Sequence, residues 1–409
     1  MTGSDPRAAV ARAHREEWAR VVAALTRRFG DLDVAEEAAA EAFAAAVERW
    51  PADGVPDRPG AWLTTTAIRK AIDRIRREQR REEKHREAEV WSQDATEPVG
   101  PVEDDRLRLV FTCCHPALAM EARVALTLRL VGGLTVAEIA RAFLLTESAT
   151  ARRITRAKAK IKGAGIPYRL PSADDLPERV TGVLAVLYLV FNEGYLATGP
   201  DTDPVRPALT GEAIRLTRLL RTLLPDDGEV TGLLALMVLT EARRAARVDV
   251  DGRLVVLAEQ DRGRWDAALV AEGHRLVRER LAAGVAPGRY QLLAAINAVH
   301  TSAPDAASTD WSQVLALYDQ LVRLDPSPVV ALNRAVALAE VDGAGAALAV
   351  VDRLGDALDG YHAYHATRAD LLRRLGRTGP ARAAYRRAVE LAGNSAETAY
   401  LGARLAELG

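Results

Sequence analysis

Residues 135–162, TVAEIARAFLLTESATARRITRAKAKIK, leave little freedom in how they fold. Thr135 followed by Glu138 predicts a capping box that opens a helix. Ile139, Ala140 and Phe143 give that helix one apolar face. Leu144-Leu145-Thr146 predicts a tight turn, with Thr146 capping a second helix. In the second helix Ala151, Ile154 and Ile161 recur near helical spacing, which turns Arg152, Arg153, Arg156, Lys158, Lys160 and Lys162 outward or sideways. Between Arg141 and Arg169 there are eight basic residues and one acidic. Two helices about a tight turn, the second strongly cationic, suit the phosphates flanking a DNA major groove. A solvated basic face on an ordinary helical hairpin would have the same composition.

The rest of the chain repeats the helical pattern. At roughly 100–200 residues per domain, 409 residues make two to four domains. Strand-like alternation is scarce, so the expected class is all-α. The net charge of −1 hides local asymmetry: residues 31–48 hold six acids and no base, residues 64–86 nine bases and four acids. The only cysteines, Cys113 and Cys114, are adjacent and cannot build a disulfide framework, which points to a reducing cytoplasm. No N-terminal stretch reads as a signal peptide, and no run approaches the roughly 18 apolar residues of a membrane span.

Val10, Trp18, Val21, Val22 and Leu25 mark a first helix over about 6–29, closed by Gly30. Asp33 with Glu36 predicts a capped second helix ending near Trp50, with Val34, Phe43 and Val47 inward. Pro and Gly punctuate residues 51–60, which are expected to be irregular. A third helix over 61–86 carries Trp62, Leu63, Ala67, Ile68, Ile72 and Ile75 as its apolar stripe. The expected domains are 1–87, 104–165 and 178–409, with linkers at 88–103 and 166–177. The third ends in repeats: residues 324–354 superpose on 358–391 with a shift of 34, Leu324 on Leu358, Ala335 on Ala369, Leu338 on Leu372, Ala347 on Ala381 and Val351 on Tyr385. That period resembles the tetratricopeptide repeat. An earlier unit beginning near 289 fits once a loop is inserted around Ser302–Thr309, and about three units suffice for a stable stack.

The N-terminal block, Asp33-Val-Ala-Glu36-Glu37-Ala-Ala-Ala-Glu41-Ala-Phe43 followed by Ala61-Trp62-Leu63 and the basic helix through Arg77, resembles region 2 of the sigma-70 family in its extracytoplasmic-function group. The helix-turn-helix resembles region 4. Phe111-Thr112-Cys113-Cys114-His115-Pro116, Phe191-Asn192-Glu193-Gly194-Tyr195 and Glu259-Gln260-Asp261-Arg262 with Trp265 look like landmarks of a subgroup with a long tetratricopeptide-like extension. The resemblance implies a bacterial transcription-initiation factor that binds core RNA polymerase and promoter DNA. It implies no catalytic residue, metal or cofactor, and no membrane.

By that resemblance Asp33, Glu37, Glu41 and Phe43 would contact the polymerase. Thr65, Arg69, Asp73, Arg74 and Arg77 would meet the −10 element, with a flipped base held under residues 51–60. The family usually has Asn where Arg69 stands. Arg76, Arg80 and Arg81 would hold phosphate. Ser148, Thr150, Arg152 and Arg153 would read the −35 major groove, and Arg156, Lys158 and Lys160 would bind backbone. The extension would regulate or complete the factor, including by contact with the sigma domains. A helix-turn-helix activator with a repeat-built sensor domain is the alternative.

Other clusters carry less. Cys113, Cys114 and His115 lack zinc-ligand spacing. His362 and His365 share a helix, but His365 sits at a packing position. Asp249-Val-Asp251-Gly252 lacks the later ligands of a calcium loop. Asn192, Glu193, Tyr195, Asp261 and Arg262 form a candidate site in the extension. Glu193 lies beside a very apolar run and needs a partner, expected from Arg244, Arg247 or Arg262.

Overall fold

The computed structural model describes residues 6–83, 105–143, 145–196, 205–249 and 254–408. The expected linker 88–103, Leu144 of the turn, and Asp251 and Gly252 lie outside the described residues, as do the side chains of Arg80 and Arg81. Among the described residues there is no strand beyond one antiparallel bridge, Val248 to Leu254. The chain forms two compact units, Met1–Leu189 and Val190–Gly409.

The first unit is built on α1 (Pro6–Phe29), α2 (Leu32–Asp53) and α3 (Pro59–Glu83). Val10, Trp18, Val21, Val22 and Leu25 are all buried, and Gly30 ends α1 at a positive φ of 67°. The cap of α2 is Asp31 rather than Asp33. Its Oδ1 accepts from the N–H groups of Asp33 (2.8 Å) and Val34 (3.2 Å). Leu32 is buried, so the helix starts at the chain reversal and not at the later acid. α2 also runs through Pro51, forgoing one backbone bond in its last turn, until Gly54 at φ 82° stops it. The irregular segment therefore shrinks to 54–58. At its base Trp50 is buried edge-on to Trp62, ring centroids 5.7 Å apart. Val47, expected inward, is 54% exposed.

α4 (Asp105–Cys113) packs on α1. α5 (Met120–Leu126) runs on into a π-helical turn, Thr127–Val131. Gly133 follows at φ 78°, where a Cβ would lie 2.8 Å from His14 and 3.0 Å from Trp18, so only glycine lets this turn seat on α1. α6 (Val136–Ala142) and α7 (Glu147–Gly163) are the helix-turn-helix. Its capping box is present: Thr135 N–H donates to Glu138 Oε2 (2.7 Å), and Glu138 N–H donates to Thr135 Oγ1 (3.1 Å). Thr146 Oγ1 accepts from Ala149 N–H at 3.2 Å. α8 (Leu176–Tyr195) follows.

In the second unit α10 (Gly228–Glu241) is buried on every side from Val230 to Thr240, as a helix apolar all round must be. It packs among α9 (Pro207–Leu223), α12 (Ala267–Ala282) and α13 (Arg289–Ser302); α11 (Arg244–Arg247) is a single turn. Helix pairs follow: α13 with α14 (Trp311–Leu324), α15 (Pro328–Val341) with α16 (Ala344–Asp352), then, after α17 (Gly355–Leu358), α18 (His362–Arg374) with α19 (Thr378–Leu391), and finally α20 (Ser395–Ala406). Ala335, Ala369, Ala347 and Ala381 are each 0% exposed, because the paired helices approach closely at those alanines. Val351 and Tyr385 are buried too, whereas Leu324 is 54% exposed and Leu358 buried, so that pair is not equivalent. The expected inserted loop joins α13 to α14.

Candidate nucleic-acid interface

Two polar stripes face outward from the first unit. On α3, Thr65, Arg69, Asp73 and Arg77 are all exposed and recur every four residues, hence on one side of the helix. Arg77 Nε donates to the Asp73 carbonyl at 3.3 Å, which holds its guanidinium along the stripe. Arg76 is also exposed. Arg74 departs from this set: it is half-buried and ion-paired with Glu37 of α2. Lys70 pairs with Glu41 at 3.5 Å. Two of the acids assigned to polymerase thus brace α2 against α3, although Glu37 and Glu41 keep 48% and 40% of their side chains exposed.

On α7, Ser148, Arg152, Arg156 and Lys160 are exposed and again four residues apart. Arg153 is half-buried beside them. Two assigned residues are not on this face. Thr150 is 0% exposed and its hydroxyl has no hydrogen-bond partner, so it is a packing residue and not available to a base. Lys158 is buried, its ammonium donating to Asp33 (2.8 Å) and to Glu36. It is neutralised within the protein and not offered to a phosphate.

The polar cluster around Glu36 was hidden from sequence reasoning. Glu36 Oε1 accepts from Arg129 Nε at 2.5 Å, and Arg129 Nη1 also donates to the Leu134 carbonyl at 2.9 Å. Lys162 pairs with Asp31 at 3.0 Å. Burial works to raise the Asp31 carboxyl, but Lys162 and two backbone N–H groups outweigh it and hold its pKa below the ordinary value. The signal available was charge complementarity between the acid-only block 31–48 and the basic second helix of the helix-turn-helix. Phe43 is 5% exposed, wedged against His14 and Trp18 at 4.9 and 5.7 Å. It is a core residue and not a surface contact.

In the extension Glu193 pairs with Arg206 at 3.0 Å, not with any of the three arginines expected. Gly194 lets α8 meet α9: a Cβ there would stand 2.7 Å from Thr210 N. Asn192 is exposed, Asp261 caps Gly263 at 2.9 Å, and Arg262 donates to the carbonyls of His300 (2.6 Å) and Ala303 (2.7 Å). Cys113 and Cys114 are buried thiols, Cys114 Sγ lying 3.3 Å from Thr127 Oγ1, and His365 Nε2 bonds the Asp359 carbonyl at 2.7 Å. Among the described residues no three His, Cys, Asp or Glu side chains gather as a metal would need, and no helix is long and apolar enough to cross a membrane.

Comparison with known proteins places both stripes. Residues 15–81 match the family model for sigma-70 region 2, which covers α3, and residues 108–161 match that for sigma-70 region 4, which covers the exposed stripe of α7. The chain carries regions 2 and 4 of the sigma-70 family. A "Probable ECF RNA polymerase sigma factor SigI" of Mycobacterium tuberculosis is 31% identical over 173 residues, 41% of this chain and 58% of that protein. An uncharacterised protein of Rhizobium meliloti is 44% identical over 397 residues, 95% of this chain and 93% of its own length, so the likeness includes the extension. Residues 179–281 match a family of unknown function (DUF6596). Both exposed stripes thus lie within matched stretches, and the match over the extension carries no described role.

Proposed function

We propose that this sigma-family chain directs core RNA polymerase to promoters carrying −35 and −10 elements. The observation that carries the proposal is the pair of exposed stripes, Thr65/Arg69/Asp73/Arg77 and Ser148/Arg152/Arg156/Lys160, lying in the stretches that match regions 2 and 4. On α7, Arg152 and Ser148, nearer the helix start, meet base edges. Arg156 and Lys160 meet phosphate, which positions without specifying. On α3, Arg69 and Arg77 bind strand backbone, while Thr65 and Asp73 offer the hydrogen-bonding groups that distinguish bases. The exposed edges of Asp33, Glu37 and Glu41 form the polymerase contact, and the chain performs no catalysis. The stacked repeats regulate or complete this activity, since such stacks present extended surfaces to partners.

Transcription in vitro tests it, with purified core polymerase, the full chain and DNA from upstream of its own coding region. A discrete transcript that Arg152→Ala and Arg69→Ala each reduce by tenfold or more is the expected outcome. DNA binding without any transcript would instead make the chain an activator that needs another specificity factor.

A further inference from the structure

At the C-terminal end of α13 three arginines converge, Arg243 and Arg247 from the two ends of α11 and Arg262 from the loop before α12. Arg243 Nη2 donates to Asn297 Oδ1 at 3.0 Å. Arg262 Nη1 is fixed by the carbonyls of His300 and Ala303, one turn further on, and its guanidinium lies 4.6 Å over the Trp265 ring. Arg247 lies 3.8 Å over the Tyr195 ring. His300 is close enough to Arg243 and Arg262 that, after burial, these two cations hold its pKa down to about 4.

Among the described residues no carboxylate lies within ion-pair distance of Arg243, Arg247 or Arg262. At longer range Asp305 acts on Arg262 and Glu397 on Arg247, but neither closes an ion pair. The acids nearby pair elsewhere: Glu193 with Arg206 (3.0 Å), Glu241 with Arg244 (2.6 Å) through one oxygen, its other oxygen being buried without a donor, Glu259 with Arg404 (2.5 Å) and Glu397 with His362 (3.2 Å). Four N–H donors of this cluster are buried without an acceptor: Arg243 Nε, Arg247 Nε, Arg262 Nη2 and Trp265 Nε1. A buried charged donor left unsatisfied is strongly unfavourable, and like charges so placed repel. Packing alone explains Arg262, which caps α13, but not why Arg247 and Arg243 join it.

We infer that Tyr195, Arg243, Arg247, Arg262 and Trp265 form a binding site in the extension for a phosphate group, free or carried on a small molecule. Guanidinium edges present paired N–H donors at the spacing of phosphate oxygens, and three of them more than neutralise a dianion. The indole N–H supplies a further donor, and the two aromatic rings hold the guanidinium planes so that their edges point at a common anion. The site lies in and beside the stretch that matches the family of unknown function, and its occupancy is measurable without transcription.

The full chain is titrated by calorimetry with inorganic phosphate, pyrophosphate and phenyl phosphate, ionic strength being held with chloride. Arg247→Met is the first variant, because among the described residues that guanidinium makes no hydrogen bond, and its loss removes the stacking on Tyr195 and a long-range attraction to Glu397. Arg275→Met, exposed on α12, is the control for phosphate held loosely by surface charge. Saturable binding of at least one probe, weakened roughly tenfold or more by Arg247→Met and unchanged by Arg275→Met, is expected. The tightest probe tells a free anion from an ester. If Arg247→Met fails to fold, Trp265→Phe, which keeps a ring and loses one donor, must weaken binding several-fold. No saturable binding of any probe, or equal weakening by the site and control variants, overturns the proposal.

Discussion

Lys158 of α7 donates to Glu36 of α2, and the other oxygen of that carboxylate takes Arg129 at 2.5 Å. Both Glu36 and Lys158 are buried, and the cluster joins the helix-turn-helix to the N-terminal helices. Glu36→Ala leaves Lys158 with only Asp33 and Arg129 with only the Leu134 carbonyl, and removing one member of such a buried cluster costs about 3 kcal/mol. Urea unfolding followed by circular dichroism should show that loss. Glu48→Ala, on an exposed turn of the same helix, should leave the midpoint in place.

Thr150 and Arg156 separate packing from DNA contact on α7. Thr150→Val removes a buried hydroxyl that has no partner and keeps the branched shape, so stability should rise by about 1 kcal/mol with DNA affinity unchanged. Arg156→Ala should leave stability unchanged and flatten the dependence of log affinity on log salt by about one unit, the signature of one lost phosphate contact. Fluorescence anisotropy over a salt series measures both.

His300 makes the extension acid-sensitive. Burial, then Arg243 and Arg262, lower its pKa from 6.5 to about 4. A folded-state pKa below the unfolded one stabilises fully above the unfolded value and is lost as pH falls through the folded value. The window is therefore pH 6.5 down to about 4, with a total loss of about 3 kcal/mol. Unfolding midpoints at pH 7, 5.5 and 4.5 should fall accordingly, and less steeply in His300→Asn. The Trp311 ring, 5.2 Å from His300, provides a local fluorescence reporter.

Cys114 sets the alkaline side. Burial is the main reason its pKa is raised from 9.0 to about 11, with the bond to Thr127 only partly opposing it. At pH 8 the folded thiol then holds roughly a hundredfold less thiolate than an unburied one. Alkylation should be slow in the native protein and fast in urea. Because the folded pKa lies above the unfolded one, stability is intact below about pH 9 and declines through about 11, which alkaline denaturation of Cys114→Ser should show reduced.

Gly194→Ala should separate α8 from α9, since the new methyl meets the backbone nitrogen of Thr210 and not a side chain able to swing away. Overpacking of this kind costs about 1–3 kcal/mol. A lower thermal midpoint of the full chain is expected.

The parts of this molecule that could be read from its sequence are those set by neighbours along the chain. The caps at Thr135 and Thr146, the stripe on α3, and the repeat alanines 335, 369, 347 and 381 all follow from spacing. What could not be read depends on partners far away in sequence. α7 carries bases around much of its circumference, so nothing local says that Lys158 turns inward while Lys160 turns out. An acid 122 residues earlier decides it. The same holds for Glu193, whose partner Arg206 lies on the far side of a segment with no periodicity, and for Val47, which lines an open cleft beside Val10 and His14 of α1 and does not enter the core.

The π-helical turn at Thr127–Val131 holds one residue more than a regular turn would. Each residue of an α-helix advances about 100° around the axis, so this insertion resets the phase of everything after it. Removing one residue there would restore an ordinary helix and satisfy its local backbone equally well. It would also rotate Arg129 away from Glu36 and carry Gly133 off its seat on His14 and Trp18. A one-residue change of length outside both exposed stripes would therefore misalign the helix-turn-helix, whereas many substitutions at the same positions would not.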